Sequence, residues 1–551
     1  MPNLPIRGLG AVGVVTDADP YNLPINGFTR AKNVRFTEGK VEHGPVYRDV
    51  SAPITSFNPM FASGIYALDG YDTVVVVDDL FTVRQFQNGA FRVDGSGNDY
   101  PLYTVGDSSD PPSSLKVTHT TLADVYYINR PDRVPIAQVP AASNNAFNDL
   151  NPWDSTHRTK ALRSFGDFLV ALNMTEDAAA FPNRVRFSNI ALANNVPNDW
   201  TGTAAGSSAG FVDLVQMSTP IIDGATLGPN FLIYSQDQVW MMEFVGGTFI
   251  FNFRKIFDDA GVISQNCIVE VGGRHYVFDR DDIYVTDGNT RESICEGRVR
   301  DYIFSGIDLS KADKSFVLHN NELEEVYFCY HSGDDMAEFA DGDCCNRAAV
   351  YNYRDDTWTF QDLPNVVAGT LANMDSTVTY TTATQTYENV GGSYHSQESS
   401  FQRHPLLLSR QYTVGGVNKS ESRILGVDTI DTGSLSQSLN STLSKPALLE
   451  RTGIDLDEQN VPLSGYKVIN RVYPQISTPN SNNDFRFNFG AADTPTGVPN
   501  YGASTVFDAA AGYKVDTRMA GRYLSYKLAT DTFKDFAFTG MDIDVVVTGK
   551  R

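Results

Sequence analysis

HYVFDRDDIYVTDG occupies residues 275–288 and contains the pattern that indicates the fold class. It opens with an apolar, aromatic run, continues through an acidic turn at residues 279–282, and resumes with a second apolar run before Asp287-Gly288. Aromatic and β-branched residues favour strands, and turn aspartates can hydrogen-bond their own backbone. An Asp-Gly pair suits the tight turn of a hairpin. The stretch therefore predicts strand, turn, strand and turn, without helical periodicity.

The same kind of apolar run recurs along the chain, and successive starts lie roughly 45 to 60 residues apart. This spacing is close to the length of a four-stranded propeller blade, and stacking such blades around an axis covers their faces. The sequence therefore predicts an all-β fold, with a β-propeller of six or seven blades over residues 51–430. Two sandwiches of unrelated hairpins are the alternative. The runs are TVVVV at 73–77, VYYI at 125–128, FLVAL at 168–172, FLIY at 231–234, HYVF at 275–278 and VYFCY at 326–330.

Two regions flank the repeats. Residues 1–50 form a Pro- and Gly-rich lead-in with one clear hairpin about Gly39. Residues 431–551 begin with a Ser-rich stretch at 432–444 and continue with long alternating patterns typical of strands. We predict that residues 431–551 form an additional β-sandwich-like platform domain, and that residues 1–50 are part of this platform.

Composition and charge exclude several functional classes. The chain has 551 residues and a formal net charge of −23, which disfavours tight binding to a phosphate backbone or an anionic membrane. No apolar run approaches the ~20 residues that a membrane-spanning helix needs, and the start does not resemble a signal peptide. The five cysteines lack a disulfide framework, so we expect reduced thiols in a protein folded in a cytoplasm.

Two short motifs match catalytic or cofactor signatures by letter only. GLGAVG at residues 8–13 resembles a dinucleotide fingerprint, but a useful strand does not precede it and a helix does not follow. GSSAG at residues 206–210 resembles a nucleophile elbow, but it lies in a stretch of small residues typical of a surface loop. We therefore predict no catalytic residues, no cofactor and no metal ligands.

A dense acidic loop is the one candidate site. Carboxylates that face a channel would repel DNA, whereas oxygen ligands could also hold Ca²⁺ or Mg²⁺. The order does not fit an EF-hand, since Gly342 is out of register. A solvated loop, a channel-lining loop and a cation site stay open as interpretations. The loop contains Asp334, Asp335, Glu338, Asp341 and Asp343.

Several blocks resemble one known family. LPINGFTRAKNVRF at residues 23–36 is similar to the opening of the nozzle, or tail tubular protein B, family of short-tailed bacteriophages, with Phe28 where the family usually has Trp. PNRVRFS at 182–188 followed by Asp199-Trp200, and the stretch from 232 to 284, resemble middle blocks. GRYLS at 521–525 and VVVTGKR at 545–551 resemble the last strands, although the family ends Gly-Arg-Arg. The resemblance is thin from about 365 to 440.

This resemblance implies a structural virion protein, assembled in the host cytoplasm and located in the phage tail. It implies a homohexameric ring below a tail adaptor ring, with the chain ends paired in a platform and the propellers around a channel for double-stranded DNA. Tail fibres or a needle would attach nearby. The family has no catalytic residues, so the resemblance transfers none.

Two other functions fit the same fold. Propellers host many activities, so a glycan-acting enzyme, such as a phage depolymerase or glycosidase, is the first alternative. Such an enzyme needs convergent carboxylates or a metal in the central funnel. A monomeric adhesin of the phage tail is the second alternative, and it predicts no ring and no continuous channel.

Overall fold

The chain is described by a computed structural model over residues 3–66, 72–87, 89–105, 115–138, 146–247, 249–334, 341–372, 403–414, 416–428, 447–456, 465–478, 484–530 and 535–548. In these ranges it contains 41 strands, one short α-helix and short 3-10 turns. The predicted all-β class is confirmed. No helix within the described ranges is long and apolar enough to cross a membrane.

The N-terminal segment contributes five short strands. The hairpin predicted about Gly39 is confirmed, with its turn at Glu38 and Gly39, both at positive φ (49° and 74°). Gly39 accommodates this backbone because it lacks a Cβ. The strands are β1 (Asn3–Arg7), β2 (Arg30–Lys32), β3 (Val34–Thr37), β4 (Lys40–His43) and β5 (Val46–Asp49).

Five four-stranded antiparallel sheets follow, and in each one the strands are neighbours in sequence order. This is the meander of a propeller blade. Blade 1 contains β6 (Pro59–Tyr66), β7 (Asp72–Asp78), β8 (Val83–Gln87) and β9 (Ala90–Phe91); blade 2 contains β10 (Thr118–Leu122), β11 (Val125–Asn129), β12 (Ile136–Gln138) and β13 (Phe147–Asp149); blade 3 contains β14 (Arg158–Phe165), β15 (Phe168–Glu176), β16 (Ala179–Phe187) and β17 (Gly210–Asp213); blade 4 contains β18 (Asp223–Leu227), β19 (Asn230–Tyr234), β20 (Val239–Phe244) and β21 (Phe251–Phe257); blade 5 contains β22 (Ile268–Val271), β23 (Arg274–Phe278), β24 (Ile283–Thr286) and β25 (Arg291–Ser293).

The last two blades share one long strand. This strand, β29, pairs with β28 up to Val366 and with β30 from Val366 onward. It changes partner beside Pro364 and Asn365, where Asn365 has a φ of 49°. The helix α1 (Arg300–Gly306) precedes blade 6, which contains β26 (Phe316–Asn320), β27 (Glu325–Tyr330), β28 (Cys345–Asn352) and the first part of β29 (Thr357–Ala372); blade 7 contains the second part of β29, then β30 (His404–Ser409) and β33 (Arg423–Asp428), with the hairpin β31 (Tyr412–Val414) and β32 (Val417–Ser420) between them in sequence.

The first strand of each blade faces a common axis, and the ring closes between blades 7 and 1. Gly64 of β6 lies against the backbone of Leu371, and a Cβ at Gly64 would come within 2.1 Å of the Leu371 carbonyl oxygen. On the opposite side of β29, the strand that contains Leu371, Gly369 lies against Phe316 of β26. The second part of β29 therefore lies between β26 and β6, and the described residues form a seven-bladed propeller.

The outer strand of blade 7 comes from the other end of the propeller segment. Strand β5 pairs with β33 in antiparallel register, with Tyr47 opposite Val427. The prediction that residues 1–50 belong to the platform is wrong for β5. A four-residue strand carries no mark of its partner, and the ring closes on this strand because it precedes blade 1.

The remaining strands form two six-stranded sheets that mix both chain ends. One has the order β3-β4-β41-β35-β39, with β1 also on β41, and the other has the order β2-β34-β40-β36-β37, with β38 also on β36. We call this two-sheet unit the platform. Its later strands are β34 (Leu448–Ile454), β35 (Tyr466–Ser477), β36 (Asp484–Ala492), β37 (Asn500–Tyr501), β38 (Thr505–Asp508), β39 (Val515–Gly521), β40 (Tyr523–Thr530) and β41 (Ala537–Thr548).

The platform attaches to blade 6 through a continuous apolar core. Phe28 and Phe36 of the platform share one buried cluster with Trp358 of β29. The Val14 amide also donates to the Trp358 carbonyl at 3.0 Å. Because the cluster extends from the platform into the propeller, neither part has a separate core at this junction.

Buried polar groups fix the same junction. Arg35 of β3 forms an ion pair with Glu325 of β27, with its Nε 2.7 Å from the carboxylate. Lys32 lies 2.8 Å from Asp362 of β29, which also accepts from the Asn33 amide at 3.1 Å. These pairs hold β2 and β3 of the platform against blade 6.

The apolar runs from which the fold class was predicted all occupy the equivalent strand of their blades. Each contributes to the second strand of its blade, from β7 in blade 1 to β27 in blade 6. These strands are almost continuously buried, because strands flank them and adjacent blades cover their faces. The seventh second strand, β30, begins HPLLL after a long stretch of weak pattern, and the sequence did not reveal it.

Candidate functional site

A cavity of about 430 Å³ lies on the propeller axis. The first strands of all seven blades contribute to its wall, which combines apolar residues with charged and hydrogen-bonding ones. Several ionisable residues from different blades therefore meet at the axis. The charged or hydrogen-bonding side chains include His119, Arg163, Asp223, Asn266, Lys314 and Arg410.

Arg163 is the centre of a hydrogen-bonded network within this cavity. Its guanidinium forms a bidentate pair with Asp223, at 2.8 and 2.6 Å. It also donates to the Asn266 side-chain oxygen at 2.9 Å and to the His119 carbonyl at 3.1 Å. The Asp223 carboxylate in turn accepts a hydrogen bond from the backbone amide of Asn266 at 2.9 Å. Paired guanidinium and carboxylate groups of this kind are strongly oriented.

This network crosses four blades. His119 belongs to blade 2, Arg163 to blade 3, Asp223 to blade 4, and Asn266 directly precedes blade 5. Asp223 is 1% exposed, and its two oxygens are occupied by protein donors. The geometry therefore suits a structural clamp between inner strands, because a carboxylate so engaged is not presented to a substrate.

His119 is the one imidazole on the cavity wall. Burial, and secondarily the nearby Arg163, lowers its pKa to about 3. Its Nδ1 atom has no hydrogen-bond partner among the described residues. The ring is therefore neutral near pH 7 and is a weak proton acceptor, which makes it a poor general base.

The acidic loop connects β27 and β28 of blade 6. Asp335 and Glu338 lie outside the described residues, whereas Asp334, Asp341 and Asp343 lie within them. Asp341 is exposed. The described ends of the loop lie on the face where the first strands of the blades begin, because β27 ends and β28 begins at that end of blade 6.

Two of the described loop carboxylates are paired with arginines. Asp334 lies 3.2 Å from Arg347, and the Tyr302 hydroxyl lies 3.4 Å from the same carboxylate. Asp343 lies 3.4 Å from Arg410, which also lines the axial cavity. These partners offset part of the negative charge that the loop sequence indicates. No group of three or more His, Cys, Asp or Glu within the described ranges is arranged to hold a metal ion.

The two letter-matching motifs have the structures that the sequence predicted for them. Residues 8–13 form turns after β1, and a Cβ at Gly10 would lie 2.0 Å from the Lys40 carbonyl oxygen. Residues 206–210 lead from a turn into β17. Neither opens a helix, so neither provides the helix N-terminus or the sharp strand-to-helix turn that the corresponding chemistry requires.

The sequence pattern does not indicate the charged and amide side chains that meet on the propeller axis. Arg163, Asp223 and Asn266 lie at the starts or within first strands that are separated by tens of residues. The only local signal is a charged or amide residue in an otherwise apolar strand, and many surface strands share this feature. Their convergence depends on the closure of the ring.

Comparisons with known proteins add little to this picture. No family model matches the chain, and no curated protein does. Among solved structures, the WD40 β-propeller domain of Doa1 is 10% identical, with 71% of this chain and 99% of that chain covered and a TM-score of 0.37. The RRP9 WD40 repeats are 7% identical, with 70% and 97% covered and a TM-score of 0.36. PorZ of Porphyromonas gingivalis is 10% identical, with 68% and 39% covered and a TM-score of 0.30.

The chain's own sheet order therefore assigns its class. Seven four-stranded antiparallel blades in the described residues, the last two of which share β29, surround one axis, and their first strands line one cavity. The protein is a seven-bladed β-propeller protein that has an additional two-sheet platform built from both chain ends.

Proposed function

We propose that this protein is the tail nozzle of a short-tailed bacteriophage, a structural ring through which the double-stranded DNA genome leaves the particle. The observation that carries the proposal is where the family-like blocks lie. The block at residues 23–36 supplies β2 and β3, and the blocks at 521–525 and 545–551 contribute to β40 and β41. In each platform sheet a strand of the N-terminal block, β3 or β2, and a strand of a C-terminal block, β41 or β40, are separated by one strand.

This arrangement supports the proposal because the resemblance implies a platform that pairs the chain ends. The blocks are remote from one another in sequence. If each were similar to the family only by chance, there would be no reason for all of them to lie in the same structural unit. In the proposed assembly the platform docks to the tail adaptor ring, and fibres or a needle attach nearby. Six copies interact head to tail around a closed ring.

The net charge of −23 fits a conduit for DNA. Duplex DNA carries about one charge per 1.7 Å, so a wall rich in Lys and Arg would hold it tightly. An acidic wall repels the phosphates over a Debye length of ~8 Å, which prevents adhesion without blocking passage. The acidic loop, with Asp334, Asp341 and Asp343 among its members, is our candidate for part of that wall.

We propose a role without catalysis. The charged groups on the propeller axis support this, because Arg163 and Asp223 bond to one another and to Asn266 rather than converging on free space. A glycan-acting enzyme would need carboxylates that are open to a sugar. Incubation of the purified chain with host capsular polysaccharide provides a direct check, since release of oligosaccharides would support the enzyme alternative.

Electron microscopy of the assembled tail tests the proposal. We expect class averages with sixfold symmetry, in which the C terminus, labelled with gold through a tag, lies on the adaptor side. The same images would show whether the acidic loop lines the channel. Intact particles that contain the protein as a monomer, or only at fibre tips, would contradict the nozzle assignment.

A further inference from the structure

A second, smaller cavity opens beside the axial cavity, where the first strands of blades 2 and 3 begin. Its volume is about 220 Å³, and the described residues that line it include two lysines and one arginine but no aspartate or glutamate. We call it the basic cavity. Lys116 lines both cavities, so the basic cavity adjoins the axial one. Its cations are Lys116, Arg158 and Lys160.

None of these cations has a carboxylate partner among the described residues. The Lys160 ammonium makes no hydrogen bond and no ion pair with a described group. Lys116 donates to the backbone carbonyls of Gln265, at 2.8 Å, and Ser315. Arg158 donates to three backbone carbonyls, at 2.7 to 3.1 Å. Carbonyl oxygens satisfy hydrogen-bond donors but leave the positive charge uncompensated.

The carboxylates that act electrostatically on the two lysines also form ion pairs with other residues. Asp223, which acts on Lys160 electrostatically, forms its bidentate pair with Arg163. Asp313, which acts on Lys116, lies 3.3 Å from Lys314. The basic cavity is therefore a concentration of positive charge in a chain whose net charge is −23.

Burial makes this concentration of positive charge unfavourable. Desolvation lowers the pKa of both the Lys116 and the Lys160 ammonium groups. An anion bound beside these partly dehydrated cations would offset the cost of their desolvation. A ligand that binds only the folded state would stabilise it accordingly.

We propose that the basic cavity binds a phosphate group. A compact oxyanion with more than one negative charge matches three cations that approach one cavity, and lysine and arginine are the side chains that proteins use for phosphate. A cavity of about 220 Å³ has room for several waters, at about 30 Å³ each, and hence for a phosphate with its ester atoms. The ligand is free phosphate or a small phosphate monoester.

The test titrates the full chain with inorganic phosphate in a buffer without other oxyanions, at an ionic strength held constant with chloride. We expect a saturable rise in melting temperature and a stoichiometry of one by calorimetry. Lys160→Gln should raise the apparent Kd about tenfold or more, the effect of losing one charge-assisted hydrogen bond. Lys160→Arg, which keeps the charge, should retain binding.

Lys419→Gln is the matched control. Lys419 is exposed, lies in β32 and has no partner among the described groups, so this variant removes the same charge without touching the basic cavity. It should bind phosphate as the parent chain does. In phosphate-free buffer Lys160→Gln should melt no lower than the parent chain, because it removes an unpaired, partly buried charge.

Two outcomes would overturn the proposal. One is a parent chain that shows no saturable phosphate response beyond that of chloride, and the other is an equal response in Lys160→Gln. A parallel titration with glycerol 3-phosphate separates the two ligand sources. Equal affinity supports recognition of free phosphate, and tighter binding supports a monoester. Because these measurements need no assembled ring, their outcome is independent of the proposed nozzle function.

Discussion

Glu325 shows how single residues join the two parts of the molecule. Its side chain is 2% exposed, pairs with Arg35 of the platform and accepts from the Tyr327 hydroxyl at 2.8 Å. The next residue towards the N terminus, Glu324, forms a similar pair with Arg354 in an exposed position. Two adjacent glutamates therefore form ion pairs of the same chemistry in opposite environments.

We expect Glu325→Gln to lower the free energy of unfolding by about 2 kcal/mol, because Arg35 loses its closest carboxylate and keeps the more distant Glu42, at 3.9 Å. Glu324→Gln is the control and should change it by less than about 1 kcal/mol, since water screens an exposed pair. Urea unfolding followed by tryptophan fluorescence measures both. Equal effects of the two substitutions would show that the buried pair does not stabilise the junction.

At the scale of elements, β5 and β29 decide how the propeller closes. β29 passes from the outer edge of blade 6 to the inner edge of blade 7 at Pro364 and Asn365 without a separate loop. β5 then covers the outer edge of blade 7. A ring whose last blade takes a strand from before the first blade ties its two ends together, and β5 pairs the outer edge of β33.

Tyr47 is the residue through which this closure can be tested. It is 3% exposed, and its hydroxyl donates to the Asp362 carbonyl at 2.8 Å. We expect Tyr47→Ala to cost about 3 to 5 kcal/mol locally, through the cavity left by the ring. Amide hydrogen exchange should become faster in β30 and β33 of blade 7 and stay unchanged in β15 of blade 3.

The matched control for this variant is Tyr100→Ala. Tyr100 lies in the segment between blades 1 and 2 and is 36% exposed, so its removal creates no enclosed cavity. Exchange in blade 7 should then equal that of the parent chain. If Tyr47→Ala leaves β33 as protected as before, β5 is not what holds the ring closed.

At the scale of the whole molecule, the platform and the propeller share one core. Phe36 is 2% exposed in the cluster that also contains Trp358 and Phe328 of blade 6. Strands from the two chain ends build the platform, and the propeller segment lies between them in sequence. Loss of the platform would therefore expose apolar surface of blade 6 and release the start of the propeller.

We expect the full chain to unfold in one calorimetric transition in which platform and propeller melt together. Phe36→Ala should lower the midpoint of that single transition, since it removes about 3 to 5 kcal/mol from the shared core. Phe249→Ala, at a side chain that is 79% exposed, is the control and should leave the midpoint nearly unchanged. Two separate transitions, with only one shifted by Phe36→Ala, would show that the parts are independent.

Local sequence patterns were sufficient to predict the fold class, the hairpins and the strands of the flanking regions. These features depend on alternation, aromatic content and turn residues over a few positions, as at residues 275–288, and local backbone preferences are strong enough to specify them. The number of blades, in contrast, could be predicted only as six or seven. The reason is that β29 serves two blades and β30 follows a long stretch of weak pattern.

The contacts between residues that are distant in sequence could be identified only from the tertiary structure. The partner of β5, the Arg163–Asp223–Asn266 network and the basic cavity all depend on ring closure, which brings together strands that are separated by tens to hundreds of residues. A short strand or a single lysine carries no local mark of its partner, because hydrophobic burial fixes the ring and the polar groups on the axis take positions set by that burial. The local pattern therefore specifies the blades, and their packing around one axis specifies the sites.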